Sequence, residues 1–175
     1  TLAVAARKAG IAGDSWWEVK EAIDVLKAIR EEMRPEVPLW SNPAKRLAEE
    51  IKGYIPIVYG SSIHEAVAYR WNTQLNENGK SPAGSSFIPE AFHNATVASE
   101  GDQVILRHLC AVILKDPMEG EHLVAKTHRF IDLLRPGFGK ILEVEARGEG
   151  RLARMLSALY IGDYVSTYLG ILYGK

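Results

Sequence analysis

Tyr54-Ile55-Pro56-Ile57-Val58-Tyr59 runs directly into Gly60-Ser61-Ser62, after which Ile63, Val67, Trp71 and Leu75 recur at helical spacing as far as Asn78-Gly79. A short β-branched and aromatic run, a glycine-serine turn and an apolar stripe read as strand, tight turn and helix. Ser62, with Glu65 three residues on, predicts the helix cap. The alternation continues outward. Residues 83–88 read as a second short strand, 104–114 as a longer buried strand, 121–134 as a helix, 140–146 as a strand and 149–172 as a last helix. Upstream, Ser15-Trp16-Trp17-Glu18 forms a capping box for a helix over 16–34, striped by Val19, Ile23, Leu26, Ile29 and Met33. Arg34-Pro35-Glu36-Val37-Pro38 ends that helix, and Asn42-Pro43 supplies an N-cap and a first-turn proline for another helix to about Lys52. An Ala-rich segment, residues 2–10, precedes all of this and is punctuated by Gly10 to Gly13. The predicted fold class is α/β, a three-layer α-β-α arrangement around a mostly parallel sheet, with ligands expected outside the carboxyl ends of the strands.

Composition bounds the function. The chain has 175 residues, 47% apolar and 25% charged, the profile of an ordinary globular domain large enough to hold a core without metal or disulfide staples. Twenty-one basic residues against twenty-two acidic ones leave a formal charge of -1, so no global field favours nucleic acid or an anionic membrane. The single cysteine, Cys110, lies in an apolar run and reads as a buried small hydrophobe, which fits a cytoplasmic protein. That run is too short for a membrane span, the N-terminus has no signal-peptide layout, and Thr1 in place of methionine suggests a processed product or a piece of something longer.

Local chemistry narrows the choice further. The Gly60-Ser61-Ser62 turn at a helix start can receive a phosphate or another anion, or Ser62 can simply cap. Neither a Walker lysine-threonine pair nor a G-x-G-x-x-G is present, so nucleotide binding has no support. The histidines at 64, 93, 108, 122 and 128 form no i, i+4 pair and have no cysteine at ligand spacing, so no metal site is expected. His93 lies in Pro89-Glu90-Ala91-Phe92-His93-Asn94, read as a loop after a strand end where acid and base groups gather. Asn76-Glu77-Asn78-Gly79-Lys80 closes a helix, with Gly79 near the C-cap and Lys80 complementing the dipole. Glu77 sits at the unfavourable end of that dipole. Glu77 and Glu90, with His93, can supply general acid and base groups, and spacing alone does not say which carboxylate acts.

These residues carry a resemblance. Asn42-Pro43-Ala44-Lys45-Arg46-Leu47-Ala48, Pro56-Ile57-Val58-Tyr59-Gly60, Ala66-Val67-Ala68-Tyr69-Arg70-Trp71, Asn76-Glu77-Asn78-Gly79-Lys80, Pro89-Glu90-Ala91-Phe92-His93-Asn94 and Gly162-Asp163-Tyr164-Val165-Ser166 resemble the C-terminal half of the bifunctional phosphoglucose/phosphomannose isomerases of archaea and some bacteria. The paired N-E-N-x-K and P-E-x-x-H-N elements are its specific part, and the order and spacing agree from about residue 40 to the end. The resemblance implies a flavodoxin-like half of sugar isomerase (SIS) type, with residues 1–40 as the end of a preceding half plus interdomain helix and linker, and 41–175 as the C-terminal SIS domain. It implies a homodimer acting on a phosphorylated hexose without metal or cofactor. Glucose 6-phosphate or mannose 6-phosphate would interconvert with fructose 6-phosphate through a cis-enediol.

By the same resemblance Glu77 is the base that moves the proton between C1 and C2. His93 assists ring opening and is presented to the site of the partner chain, and Glu90 keeps a structural or orienting role. Ser61, Ser62 and Asn94 complete the set as substrate-binding candidates. The family's main phosphate-binding loop belongs to the first half, which this chain is expected to lack, so the isolated chain is expected to be inactive. The family also uses a lysine near its C-terminus, after a G-x-D-P turn. This chain stops at Tyr173-Gly174-Lys175, at or before that turn, and Lys175 is the candidate. Two other classes compete with an isomerase: a non-catalytic sugar-phosphate-binding module, and a structural half that only dimerises.

Overall fold

A computed structural model describes residues 16–175 and Lys8. The Ala-rich segment 2–10 apart from Lys8, the Gly10 to Gly13 punctuation and the Ser15 half of the capping box lie outside the described residues. In chain order the elements are α1 (Trp16–Met33), α2 (Pro43–Ile51), β1 (Ile55–Ser61), α3 (Glu65–Glu77), β2 (Gly84–Ile88), α4 (Ala91–Ala98), α5 (Gln103–Leu106), β3 (Leu109–Lys115), α6 (Glu121–Leu134), β4 (Lys140–Glu145) and α7 (Arg151–Leu172). The strands form one sheet in the order β2-β1-β3-β4, and every pairing is parallel.

Alternation along the strands divides the interior into two cores, as the period-2 geometry of a strand requires. Val58, Cys110, Val112, Leu114 and Val144 face a core shared with α1, α2, α3 and α7. Tyr59, Ala111 and Ile113 face the other, against α4, α5 and α6 through Ala91, Leu106, Phe130 and Leu134. The three-layer α/β arrangement expected from the sequence is the one found.

The first helical layer is centred on α7. Its 22 residues have a mean hydropathy of 1.2 over the most apolar window, enough by length and composition for a membrane span. In this fold it is a core helix, contacting α1, α2 and α3 along its length. Trp71 of α3 is almost wholly buried beneath it, and its indole Nε1 donates to the Ala158 carbonyl at 2.8 Å. The ring fits because Gly162 carries no side chain; a Cβ there would lie 2.4 Å from Nε1. Asn42 ties the α1–α2 connection into the same layer. Its side chain accepts from Lys45 N at 3.1 Å and donates to the Met33 carbonyl at 3.0 Å, so a fully buried amide has both ends engaged.

Two expectations change. The longer buried strand over 104–114 is in fact a one-turn helix, α5, followed by β3 from Leu109. Asp102 accepts a hydrogen bond from Val104 N at 2.8 Å and caps that turn, leaving Val104 and Ile105 largely exposed. Ser62 does not cap α3. It starts a 3-10 turn, Ser62–His64, with a left-handed backbone at φ 48°, and the N-cap position passes to His64 with no side-chain cap bond. His64 is driven inward, and its burial is what displaces the helix start.

Candidate active site

The candidate residues fall into two groups, one at each edge of the sheet. β1 climbs to Ser61, and α3 returns antiparallel to it, so Glu77, the last residue of α3, arrives at the amino edge. Asn76 fixes that arrival. Its side chain donates to the Ala83 carbonyl at 3.3 Å and accepts from Ala83 N at 3.4 Å, tying the helix end to the residue before β2. Ser81 N closes the turn onto the Leu75 carbonyl at 3.1 Å. The turn also lies flat on α7, because a Cβ on Gly79 would come within 3.2 Å of Leu169 Cδ2 and one on Gly170 within 2.4 Å of the Asn78 oxygen.

A shallow groove of about 360 Å³ follows, lined among others by Glu77, Lys80, Thr167, Ile171 and Lys175. Glu77, Lys80 and Lys175 are all exposed. The groove therefore sets one carboxylate beside two ammonium groups. An ionised carboxylate there can lift a proton from carbon, and the ammoniums can donate to oxygens.

His93 lies elsewhere. It occupies the first turn of α4, an exposed helical position and not the loop expected from the sequence. Asn94 follows it, also exposed, while Glu90 is the N-cap residue and makes no side-chain cap bond. α4 opens just past the carboxyl end of β2, so the length of that strand separates His93 from Glu77, roughly 15 Å at about 3.3 Å per residue. One chain does not bring these two together. Nor is the carboxyl edge, where ligands were expected, the place of Glu77 and Lys175.

What the carboxyl edge of β1 and β3 does gather is a polar cluster. Ser61 donates from its hydroxyl to the Glu119 carboxylate, so the turn read as an anion receptor already holds an anion of the chain's own. Burial pushes the Glu119 carboxyl above its usual range, an effect the Ser61 hydrogen bond opposes and the Asp116 charge reinforces. Asp116 pairs with Arg154 Nε at 2.8 Å, and its other oxygen lies 3.9 Å from His64 Nδ1. Burial lowers the His64 pKa, with Asp116 acting in the opposite direction. Ser62 is exposed on the rim. Asp116, Glu119 and Arg154 escaped the sequence reading; the available signal was Asp116-Pro117 at the end of an apolar run, which marks a strand's carboxyl end.

Among the described residues no group of three or more histidine, cysteine, aspartate or glutamate side chains is arranged to hold a metal. A family model described as the bacterial phospho-glucose isomerase C-terminal SIS domain matches residues 40–175. The bifunctional phosphoglucose/phosphomannose isomerase of Caldicellulosiruptor bescii is 38% identical over 157 residues, which is 89% of this chain and 46% of that protein. Its namesake in Aquifex aeolicus is 31% identical over 153 residues, 86% of this chain and 47% of that protein. Among solved structures, a glucose-6-phosphate isomerase like protein from Thermus thermophilus aligns with a TM-score of 0.76 at 28% identity, covering 89% of this chain and 52% of that one. The chain spans about half the length of the curated relatives it matches.

Proposed function

Because the chain belongs to the bacterial phospho-glucose isomerase C-terminal SIS domain family, we propose that it supplies the proton-transfer half of a sugar-phosphate aldose-ketose isomerase. The substrates are glucose 6-phosphate or mannose 6-phosphate on one side and fructose 6-phosphate on the other, as the names of the relatives suggest. The observation that carries the reading is the placement of Glu77: an exposed carboxylate at the unfavourable end of a helix dipole, in a groove with two lysines. Glu77 takes the proton from C2 of the open-chain aldose and returns it to C1 through a cis-enediol. No step in this reading uses a metal or cofactor.

His93 enters from a second copy of the chain. Its separation from Glu77 supports that part of the proposal, and so does its setting: α4 exposes Val97 beside it, and α5 exposes Val104 and Ile105, an apolar surround suited to a homodimer contact. Trp16, Trp17 and Trp40 are exposed on the other side of the molecule and suit contact with a preceding half. Activity is therefore proposed for the assembly of both halves in a cytoplasmic dimer, and residues 1–175 by themselves have negligible turnover.

Subunit mixing tests this directly. In the two-half enzyme, Glu77→Gln and His93→Ala are each expected to be nearly inactive. If each site takes Glu77 from one chain and His93 from the other, random mixing makes half the dimers hybrids with one intact site each, restoring roughly a quarter of wild-type activity. No recovery on mixing, with hybrids shown by mass spectrometry, contradicts the shared site. Full activity in both single variants refutes catalysis by these residues, whereas an unsubstituted two-half protein that binds fructose 6-phosphate without converting it leaves a sugar-phosphate-binding module.

A further inference from the structure

Resting on the isomerase reading, we propose that Lys80 is a charge-stabilising residue of the Glu77 groove: its ammonium holds the negative charge that develops on the substrate oxygens as Glu77 removes the proton. Lys80 follows Glu77 by three residues and lines the same groove. The tight turn between them carries both side chains on one rigid piece of backbone.

The backbone at Lys80 makes the identity of the residue informative. Lys80 has φ 52°, the left-handed region that glycine and asparagine usually fill. Gly79, immediately before it, is accounted for by the lack of room for a Cβ against Leu75 and Leu169. The turn thus places a long cation, and not a second glycine, at the position where a side chain is conformationally costly. Such outliers persist where the surroundings hold them, and they concentrate at functional sites. The surroundings here do hold it: Gly79 N bonds the Gln74 carbonyl at 3.1 Å, Ser81 N bonds the Leu75 carbonyl at 3.1 Å, and Gly170 closes over Asn78. Complementing the α3 dipole would not require this, since an exposed lysine on ordinary backbone nearby does the same.

The chemistry asks for a donor at this place. When the C2–H bond breaks, its proton goes to the Glu77 carboxylate and its electron pair becomes the C1–C2 double bond, while the carbonyl π pair moves onto O1. Lys80, a three-fold donor with no acceptor, hydrogen-bonds the cis oxygens in this enediolate. Glu77 then returns the proton to C1, the O2 proton passes to O1, and the C2 carbonyl forms. Lys175, across the groove, is the second ammonium within this frame.

The test compares Lys80→Met, Lys80→Gly and Lys80→Arg with Glu77→Gln in the two-half enzyme. Lys80→Met is expected to lower kcat by about 10²-fold, the scale of losing one preorganised donor to a developing oxyanion. Lys80→Gly should lose as much while its Tm holds or rises, because glycine relieves the left-handed backbone. Lys80→Arg should recover part of the rate. Affinity for a five-carbon aldonate 5-phosphate, anionic where the enediolate is, should fall in Lys80→Met, and affinity for a neutral-headed alditol 6-phosphate should not. Lys80→Met and Lys80→Gly enzymes that keep kcat within about twofold, while Glu77→Gln is inactive, overturn the role of Lys80 and leave the isomerase reading standing. A Lys80→Gly enzyme that loses Tm and activity together also overturns it. Normal turnover by Glu77→Gln defeats the assignment of Glu77 as the base, and absence of turnover in the unsubstituted two-half enzyme defeats the isomerase reading itself.

Discussion

Glu77→Gln is expected to lower isomerase turnover in the proposed two-half enzyme by at least about 10²-fold, the scale of a positioned general base. Shape is kept and only the basic oxygen is lost. The fold should not notice. Glu77 is exposed at the end of α3, joins no ion pair among the described residues, and its charge opposes the helix dipole, so neutralising it leaves the melting temperature unchanged or slightly higher. A coupled assay at saturating fructose 6-phosphate, with calorimetry on the same preparation, measures both. Glu90→Gln is the control carboxylate: it lies at the opposite edge of the sheet, beside α4, and should affect positioning or stability more than turnover. Near-normal rates in Glu77→Gln, or a deeper loss in Glu90→Gln, exchange or remove the assigned roles.

The largest effect on stability is expected at Trp71. Truncating this buried ring to alanine opens a cavity between α3 and α7 and removes the hydrogen bond to the Ala158 carbonyl. Large aromatic-to-alanine changes in cores cost about 3–5 kcal/mol. At about 2–4 °C per kcal/mol for a domain of this size, Tm falls by roughly 6–20 °C. Gly162 supplies the sharper test. In the native background Gly162→Ala drives a methyl group into the indole and destabilises by about 1–3 kcal/mol. In the Trp71→Ala background the space is vacant, and the same substitution stabilises through helix propensity, by up to about 1 kcal/mol. A double-mutant cycle reads this reversal of sign. Equal costs of Gly162→Ala in both backgrounds would show that the ring and the glycine do not limit one another.

Most of the fold was legible because it is local. Asn42-Pro43 signals a helix start by its own chemistry and caps as expected. The Ile63, Val67, Trp71, Leu75 stripe marks the buried face of α3 before any partner is known, and three of its four residues are fully buried. What could not be read depends on residues far apart in the chain. The N-terminus of α7 has glycine at its N-cap, with no side chain to offer. The carboxylate that holds the entry to this helix is Glu21 of α1, which accepts from Glu149 N at 2.6 Å across 128 residues and from Gly150 N. The start of α3 shifted because His64 found a buried place against Arg154 and Asp116, both from distant elements. Val104 and Ile105 look like strand in isolation and are helical because Asp102 caps them and the strand pairing with β1 begins only at Leu109. For the candidate site, the residue types were legible and their distribution was not. Nothing in the spacing of Glu77 and His93 reveals that one strand length stands between them.

Cys110, the only cysteine in the chain, lies in β3 between β1 and β4 with no exposed surface, and burial pushes its thiol up to about 12. Both accessibility and ionisation protect it while the sheet is closed. The residue is therefore a built-in clock for the breathing of the core. A soluble disulfide reagent modifies only those molecules in which the central strand has been uncovered. At low reagent the rate reports how rarely that state is populated, and at high reagent it reports how fast the state is reached. One unaltered atom thus distinguishes a core that opens seldom from a core that opens slowly.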